Sequence, residues 1–290
     1  MKIVKFYGGL GNQMFQYAML IAIRETTGND VLMDTSLYST YSLHNGFELE
    51  KVFNITANRT NKDQIKKMAW YTENYRLSRL IHYCLPARKH EFKEKEYGKY
   101  YPDALVAGGD VIYDGYWQHW EYFNTFREVI IREFSLKDDL DEKNGKTIGA
   151  LKSSNSCSVH VRRGDYLKSK NYKNTCSKEY YRNAIQMVKE RGGDDVHFYF
   201  FSNDFQWCVD NLSDLVDNEH FHRIDWNNGS DSYKDMILMS GCKYNIVANS
   251  SFSWWGAYLN QREDNLVIAP QIWINKKITN PIPMKEWIKV

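Results

Sequence analysis

The stretch Ser158-Val-His-Val-Arg-Arg-Gly-Asp-Tyr166 joins an apolar run typical of a buried strand to two adjacent arginines and a Gly-Asp turn. A polar loop that follows a strand lies at the carboxyl edge of a parallel sheet, where α/β proteins bind their ligands. Arginine is permanently charged, and its planar fork of N–H donors matches phosphate oxygens. The string therefore predicts an α/β unit with a pyrophosphate clamp. A solvated pair of surface arginines is the alternative.

Two more polar loops follow predicted strands in the second half of the chain. Ser202-Asn-Asp204 follows the apolar run His197–Phe201, and Asn249-Ser-Ser-Phe252 follows Tyr244–Ala248. Helical patterns cover Lys178–Arg191, Ser232–Ser240 and residues 249–259, and further short strands are predicted at Phe221–Ile224 and Asn265–Ala269. Alternating strands and helices of these lengths predict a doubly wound parallel sheet, which brings all three loops to one edge.

The chain begins with the same alternation. Ile3–Tyr7 predicts a buried strand, Gly8-Gly-Leu-Gly11 a turn and residues 12–26 a helix, which leads to a second strand at Val31–Met33. The third glycine of a dinucleotide-binding G-x-G-x-x-G is replaced by Met14. This replacement disfavours a dinucleotide-dependent oxidoreductase.

Residues 35–145 carry weaker patterns. Lys62–Leu85 predicts one helix, Glu91–Lys99 a charged solvated stretch and Phe126–Phe134 another helix. Lys137–Lys146 is polar and ends in Asn144-Gly145, which predicts a domain boundary there. The chain is thus expected to form two Rossmann-like α/β domains that face a central cleft, residues 1–145 and residues 146–290.

Composition excludes several classes of protein. The 290 residues suffice for two modest cores, and a net charge of +2 gives no basis for nucleic-acid binding. Five scattered cysteines without a C-x-x-C pair predict reduced thiols in a cytosolic protein, and the sequence shows neither a signal peptide nor a membrane-spanning apolar run. The only Asp-x-Asp, Asp139-Leu-Asp141, lies in the charged boundary stretch, and no His/Cys cluster has zinc spacing. No metal site is predicted.

Several residues near the loops have two interpretations. His160 lies within a strand, where a lone histidine is more often a core residue than a catalyst, but it comes two residues before Arg162. A buried carboxylate such as Asp225 or Asp235 could accept hydrogen bonds from a guanine N1–H and 2-amino group, whereas a first-turn aspartate usually serves helix electrostatics. The two serines of the third loop precede a helix, whose N–H groups suit a phosphate, although N-capping is their commoner use.

Four long strings of the sequence are specific and occur in a fixed order. They are Gly8-Gly-Leu-Gly-Asn-Gln-Met-Phe-Gln-Tyr-Ala18, His160-Val-Arg-Arg-Gly-Asp-Tyr166, Asp235-Met-Ile-Leu-Met-Ser-Gly-Cys-Lys243 and Asn249-Ser-Ser-Phe-Ser-Trp-Trp-Gly256. From residue 8 to about 260 the chain resembles the α-1,2-fucosyltransferases of glycosyltransferase family 11. The resemblance implies a GT-B fold, GDP-β-L-fucose as donor, and metal-independent, inverting transfer to the 2-hydroxyl of a terminal galactose.

The resemblance also implies roles for individual residues. Arg162 matches the arginine expected on the donor's β-phosphate, where it would stabilise the leaving group, and Arg163 matches its partner. His160 and Asp235 match positions expected near the guanosine. The other expected donor-binding residues are Asn12, Gln13, Asp165, Ser202, Asn203, Asp204, Asp225, Ser250, Ser251 and Phe252. The loop Ser202-Asn-Asp204 departs from the Ser-Asp-Asp that the family leads us to expect.

The acceptor side is less determined. A general base is open among Asp114, Glu121 and Asp34, and Tyr116, Trp117 and Gln118 are candidates to contact the acceptor sugar or to form a hydrophobic interface strand. The expected acceptor is a galactose-terminated oligosaccharide or a lipid-linked glycan of a bacterial surface polysaccharide. Animal members carry an N-terminal membrane anchor that this sequence lacks, so the resemblance implies a cytoplasmic bacterial enzyme, peripherally associated with the inner face of a membrane or acting on cytosolic precursors. A transferase for another nucleotide sugar and a non-catalytic glycan-binding relative are the alternatives.

Overall fold

The structure is a computed structural model that describes residues 1–41, 44–55, 57–276 and 282–290. These residues form two compact units, Met1–Asp138 and Asp139–Val290, and each unit has its own sheet. The sequence analysis placed the boundary after Gly145 instead. The difference arises because Asp141 Oδ1 accepts a hydrogen bond of 3.0 Å from the Asn144 N–H and starts a helix that belongs to the second unit.

The described part of the first unit contains four strands and six α-helices. In chain order they are β1 (Lys2–Lys5), α1 (Leu10–Thr27), β2 (Val31–Asp34), α2 (Leu49–Val52), α3 (Lys62–Met68), α4 (Tyr75–Cys84), β3 (Glu91–Lys93), α5 (Asp103–Val106), β4 (Val111–Asp114) and α6 (Arg127–Glu133). The strands pair in the order β2-β1-β4-β3, and each pairing is parallel. The segments that follow the central strands β1 and β4 are therefore neighbours at the carboxyl edge.

The described part of the second unit contains six strands and five α-helices. They are α7 (Glu142–Ser153), β5 (Ser156–Val161), α8 (Lys178–Gly192), β6 (His197–Ser202), α9 (Phe205–Leu212), β7 (Phe221–Ile224), α10 (Tyr233–Ser240), β8 (Tyr244–Ile246), α11 (Ser251–Tyr258), β9 (Leu266–Ala269) and β10 (Ile288–Lys289). The strand order is β10-β9-β8-β5-β6-β7, again with parallel pairings. The α/β class and the parallel sheets predicted from the sequence are confirmed.

Strand β5 shows how side-chain alternation positions the polar loop that follows it. Cys157, Val159 and Val161 belong to the core cluster that includes the buried residues of α8. On the other face, Ser158 Oγ accepts a hydrogen bond of 2.7 Å from Asn245, whose amide also binds the Met239 carbonyl of α10. Alternate residues of β5 thus face α8 on one side of the sheet and α10 on the other.

Two expectations for the first unit are wrong. The predicted helix over Lys62–Leu85 is two helices, because Asn74 Oδ1 accepts a hydrogen bond of 3.0 Å from Leu77 N–H and starts α4 anew. The stretch Glu91–Lys99 is not uniformly solvated either. It provides β3, which pairs with β4, and it buries Glu94 to 5% exposure.

Candidate functional site

The three polar loops of the second unit lie side by side. Strands β8, β5 and β6 are neighbours and parallel, so the segments that follow them meet at one edge of the sheet. This arrangement is the one predicted from the sequence. A cavity of about 310 Å³ opens beside the loop after β5. Its described lining includes Arg162, Arg163, Lys173 and Lys178 and contains no carboxylate, so it suits an anion.

Arg162 is an accessible cation of this edge. Its side chain is 31% exposed, and its Nη2 lies 2.7 Å from Oδ1 of Asp165, which is itself 59% exposed. The guanidinium carbon lies 5.5 Å from the ring centroid of Tyr166. An exposed ion pair of this kind contributes little to stability. The guanidinium can therefore exchange Asp165 for another anion at small cost.

Arg163 has a different environment from its neighbour. Its Nε donates to Asp204 Oδ2 at 3.1 Å, its backbone N–H donates to Asn203 Oδ1 at 2.9 Å, and its guanidinium lies 4.3 Å from the centroid of Trp207. Asp204 Oδ1 also accepts the Trp207 N–H and caps α9. These contacts tie the loop after β5 to the loop after β6, so Arg163, Asn203 and Asp204 hold the site together through bonds within the protein.

The loop after β6 also requires a glycine at position 164, in the loop after β5. Gly164 has a φ of +31°, and a Cβ at this position would lie 2.4 Å from Asn203 Nδ2. Ser202 Oγ accepts a hydrogen bond of 2.9 Å from the Asp204 N–H, which closes the turn. The asparagine that departs from the family pattern thus has a structural use, since it accepts the Arg163 N–H.

His160 is buried and neutral. Burial, together with the positive charge of Arg162, lowers the pKa of His160 to about 3. Its carbonyl oxygen accepts the Tyr181 hydroxyl at 3.0 Å, and its ring lies 5.9 Å from that of Phe252. Its Nδ1 is buried and has no hydrogen-bond partner among the described residues. A buried polar atom without a partner is costly, so this nitrogen is available to a ligand or to water.

Asp235 belongs to a buried amide network. Asn227 Nδ2 donates to Asp235 Oδ1 at 2.8 Å and to Asn144 Oδ1 at 3.0 Å. Burial raises the pKa of Asp235 to about 7, partly offset by the hydrogen bond from Asn227. Asp225, the other predicted guanine carboxylate, is 43% exposed and lies 2.8 Å from Arg223. Asn144 and Asn227 were not predicted as site residues, because an asparagine near a chain turn is common and gives no specific signal.

The loop after β8 begins α11. Ser250 is the N-cap, and its Oγ accepts the Phe252 N–H at 3.3 Å. Ser250 is buried, whereas Ser251 and Phe252 are half-buried. The ordinary N-cap interpretation of the serine is therefore correct, and it leaves the positive end of the helix dipole at the same sheet edge as Arg162.

In the first unit, the glycine-rich turn is organised by Gln13. The side chain is fully buried, and its Nε2 donates to the carbonyls of Gly8 at 3.0 Å and Gly46 at 2.8 Å. Its Oε1 accepts the Glu48 N–H at 2.9 Å. Asn12 Oδ1 accepts the Gln118 amide at 2.7 Å. Gln13 thus shapes the turn from inside, while Asn12 and Gln118 connect the segments after β1 and β4.

Asp114 is the centre of a buried ion-pair cluster. Its side chain is 3% exposed and lies 2.9 Å from Lys5 Nζ, 3.1 Å from His82 Nδ1 and 3.8 Å from Arg79 Nη1. Burial would raise the pKa of Asp114, but Lys5 and His82 outweigh it and hold the pKa well below the usual range. A carboxylate this weakly basic is a poor general base. The environment of Asp114 therefore disfavours it as the general base.

The other two candidate bases, Asp34 and Glu121, differ in their exposure to solvent. Asp34 is 1% exposed, burial raises its pKa, and its Oδ1 accepts the Ser36 N–H at 3.0 Å. Glu121 is exposed.

Glu94, which the sequence analysis missed, supports the segment that carries the acceptor candidates. Its Oε2 accepts the Tyr116 N–H at 2.7 Å and faces the Trp117 N–H at 3.4 Å. Burial raises the pKa of Glu94 to about 7, against the lowering effect of these hydrogen bonds. Trp117 has a φ of +57°, an unfavourable conformation for a bulky residue, and it is fully buried. Trp117 is consequently a core residue, and Tyr116 is half-buried. Gln118 is 3% exposed, and its amide bonds to the Tyr97 hydroxyl and to Asn12.

The comparisons with known proteins agree with these features. The profile of glycosyl transferase family 11 matches residues 1–290. The chain belongs to glycosyl transferase family 11. Among curated proteins, an α-1,2-colitosyltransferase of Escherichia coli is 33% identical over 99% of this chain and 98% of its own length. Galactoside α-(1,2)-fucosyltransferase 2 of Gorilla gorilla gorilla is 28% identical over 87% of this chain and 67% of its own length.

A solved structure extends the likeness of this family 11 chain to its fold. The crystal structure of the α-1,6-fucosyltransferase NodZ co-crystallized with GDP superposes on this chain with a TM-score of 0.53 at 16% identity. The match covers 88% of this chain and 91% of that chain. A further crystal structure of NodZ names Bradyrhizobium as its source. At this identity the likeness concerns the fold, and it confirms the predicted GT-B type.

The described ranges of the family 11 chain contain no cluster of three or more His, Cys, Asp or Glu side chains arranged to hold a metal ion. Asp141 of the Asp-x-Asp sequence caps α7 and lies 3.0 Å from Lys234. Among the helices in those ranges, none has the length and apolar character needed to cross a membrane.

Proposed function

We propose that the chain is an inverting glycosyltransferase that moves L-fucose from GDP-β-L-fucose to the 2-hydroxyl of a terminal galactose, with formation of an α-1,2 linkage. The observation that carries the proposal is the accessible guanidinium of Arg162, two residues after His160, whose Nδ1 has no hydrogen-bond partner among the described residues, in a chain that matches family 11 throughout. The curated relatives, which transfer colitose or fucose in α-1,2 linkage by name, support the same reaction class.

The proposed chemistry is a displacement at C1 of fucose. The galactose 2-oxygen forms a bond to C1 on the face opposite the phosphate, the bond from C1 to the β-phosphate oxygen breaks, and GDP leaves with the electron pair. Negative charge grows on the β-phosphate as this bond breaks. Arg162 and the N-terminus of α11 would stabilise that charge, since preorganised donors act most strongly where charge develops.

The nucleoside part of the donor would be held by neutral groups and one carboxylate. His160 at neutral pH is uncharged and could exchange a hydrogen bond with a ribose hydroxyl. Asp235 would accept hydrogen bonds from the guanine N1–H and 2-amino group. The proton of the acceptor hydroxyl would pass to Asp34, Glu121 or water, because Asp114 is committed to its cluster and a loose transition state needs little base assistance.

Binding of GDP is expected to depend on the ionisation of Asp235. The pKa of this carboxyl is about 7 in the free protein, and guanine would bind its ionised form, so protonation competes with binding. The dissociation constant should therefore fall about tenfold from pH 6 to pH 8 and change little above. Calorimetric titration with GDP at pH 6 and pH 8 measures this change in the dissociation constant. Titration with inosine diphosphate, which lacks the 2-amino group, measures how much that group contributes to binding.

Asp235→Asn is the matched variant for this measurement. The phosphates of the nucleotide titrate in the same way with the wild type and with the variant. The difference between the two pH profiles therefore isolates the Asp235 carboxyl. We expect the variant to bind GDP with little pH dependence and with a smaller preference over inosine diphosphate. An unchanged pH profile in Asp235→Asn would assign the titration to another group.

Transfer is expected to continue after exhaustive treatment with EDTA. Arg162 supplies the positive charge that a divalent ion would otherwise place on the diphosphate, and Asp141 is already bound to Lys234 and to Asn144. Initial rates before and after chelation measure the effect. Loss of most activity, restored by Mg²⁺ or Mn²⁺, would show that the arginine does not replace a metal.

The donor is tested by supplying GDP-fucose, GDP-colitose and UDP-galactose in parallel to a galactoside acceptor. The mass of each product, measured by mass spectrometry, shows which sugar was transferred. Colitose is the specific alternative, because the relative at 33% identity is a colitosyltransferase. A rate constant kcat/KM that is highest for GDP-fucose supports the proposal. Preference for colitose would change the donor, and glycan binding without any transfer would support a non-catalytic relative.

We propose further that the acceptor is a galactose-terminated glycan met on the cytoplasmic side of a membrane, free or lipid-linked. Tyr116 and Gln118 at the carboxyl edge of the first sheet are the candidates to contact it. Comparison of soluble and lipid-linked galactosides as acceptors tests this part of the proposal.

A further inference from the structure

Helix α4 presents its apolar side to the exterior and its polar side to the interior. The side chains that it buries are Ser78 and His82, which are 5% and 7% exposed. Large apolar side chains on and just after the helix are exposed: Leu77 to 46%, Leu80 to 57%, Tyr83 to 71% and Leu85 to 40%. A surface helix of a globular protein normally has the reverse orientation.

Specific polar contacts fix this orientation. His82 Nδ1 lies 3.1 Å from Asp114, and its Nε2 lies 3.2 Å from the Glu94 carbonyl oxygen. The Arg79 guanidinium lies 4.7 Å from the ring centroid of Tyr7 and is mostly buried. Rotation of α4 to bury its leucines would break these contacts and leave Asp114 with fewer partners. The exposed apolar face is therefore a stable feature of the first unit.

A tryptophan adjoins the C-terminal end of this helix. Trp70 is 42% exposed, and its Nε1 donates to the Pro86 carbonyl at 3.3 Å. The Arg88 guanidinium lies 5.5 Å from its ring. We define the α4 patch as Trp70, Leu77, Leu80, Tyr83 and Leu85. A half-exposed tryptophan with its N–H bonded is typical of side chains at the boundary of a membrane.

Positive charge surrounds the α4 patch. Residues 62–91 contain seven Lys or Arg against three Asp or Glu, although the whole chain has 38 against 36. Between Glu73 and Glu91 the sequence contains no carboxylate. Arg76 and Lys89 are exposed in this interval. Arg79, one of the seven, is mostly buried against Asp114, so the exposed Arg76, Arg88 and Lys89 carry the positive charge of this interval.

We propose that the α4 patch docks the protein on an anionic lipid surface, with the helix lying in the plane of the headgroups. Apolar side chains flanked by Lys and Arg bind such surfaces through buried apolar area and attraction to anionic lipids. A second copy of the chain is disfavoured as the occupant, since a symmetric contact would bring the same basic residues face to face. The proposal does not depend on the identity of the donor or acceptor.

Vesicle flotation with the full chain tests the proposal. The wild-type protein is expected to float with vesicles that contain phosphatidylglycerol and to remain unbound with phosphatidylcholine alone. Leu77→Ser combined with Leu80→Ser should weaken the partition coefficient at least about tenfold. Arg76→Gln and Lys89→Gln should weaken it about fivefold each, and high salt should mimic them.

Val106→Ser is the matched control, because Val106 is an apolar side chain of α5 that is 66% exposed and outside the patch. Its binding should equal that of the wild type. Melting curves show whether each variant is folded. Absence of binding to either vesicle overturns the proposal, as does binding that the Leu77/Leu80 variant retains. A dimer of the wild type that this variant abolishes, without vesicle binding, would assign the patch to a second copy instead.

Discussion

Arg162→Ala is expected to lower kcat by at least about 10²–10³, the usual scale for loss of one preorganised donor to a developing charge. The side chain has one exposed carboxylate partner, Asp165, so its removal should leave the fold intact. The contact strengthens as the C1–O bond breaks, and an interaction of that kind changes kcat more than KM. Steady-state kinetics with GDP-fucose, together with a melting curve, measure both.

Two further variants sharpen the Arg162 experiment. Arg162→Lys should recover little activity, because an ammonium group cannot form the two-pronged contact of a guanidinium. Arg182→Ala is the control, since Arg182 is a surface residue of α8 that is 49% exposed and lies 3.8 Å from Glu179. A folded Arg162→Ala enzyme within a few fold of the wild-type kcat would move the transition-state contact to another residue.

Asp114→Asn is expected to destabilise the protein by about 3–5 kcal/mol, because it leaves the buried charges of Lys5 and Arg79 without their counter-ion. For a protein of this size the melting temperature should fall by about 5–8 °C. Activity per folded molecule, measured well below the melting temperature, should fall much less. A stable variant that has lost kcat would instead restore Asp114 as a general base.

The same carboxyl predicts a dependence of stability on pH. The pKa of Asp114 is lower in the folded protein than the unfolded value of about 3.9, so the ionised form stabilises the fold. This stabilisation is complete above about pH 5 and is lost progressively as the pH falls below the unfolded pKa. Asp30→Asn is the control, since Asp30 is an exposed carboxylate of the first unit. Urea unfolding of both variants at pH 4 and pH 7 separates them.

The parts of the site that were predicted from the sequence depend on chain order and residue type. The apolar runs before Arg162, Ser202 and Asn249 each form a strand, and parallel pairing then brings their loops together. No information beyond alternation and polarity is needed for this step. Family membership, with strings that match over the whole chain, follows from the same local sequence.

The parts that were missed depend on contacts distant in the sequence. Asp114 was predicted as a candidate base. Lys5 and His82 lie beside it in the structure, although they are 109 residues and 32 residues away along the chain. Glu94 lies in a charged stretch, and its burial depends on β3 pairing with β4. Arg162 and Arg163 are the same residue type in the same loop. Their environments differ, because of the two only Arg163 bonds to Asp204.

Helix α4 illustrates the same limit. Its sequence is amphipathic, and amphipathicity predicts that the leucines face the core. Their exposure results from His82, which contacts Asp114 on a different element, and such a polar contact gives no periodic signal.

The most direct test of the proposed reaction is the structure of its product. The purified protein is incubated with GDP-fucose and a β-galactoside, and the product is analysed by NMR spectroscopy. We predict one fucose in α configuration on O2 of galactose, with GDP released in equal amount by the wild type and at a rate lower by at least about 10²-fold by Arg162→Ala. A β-linked fucose, a linkage to another hydroxyl, or release of GDP without a fucosylated product would contradict the account.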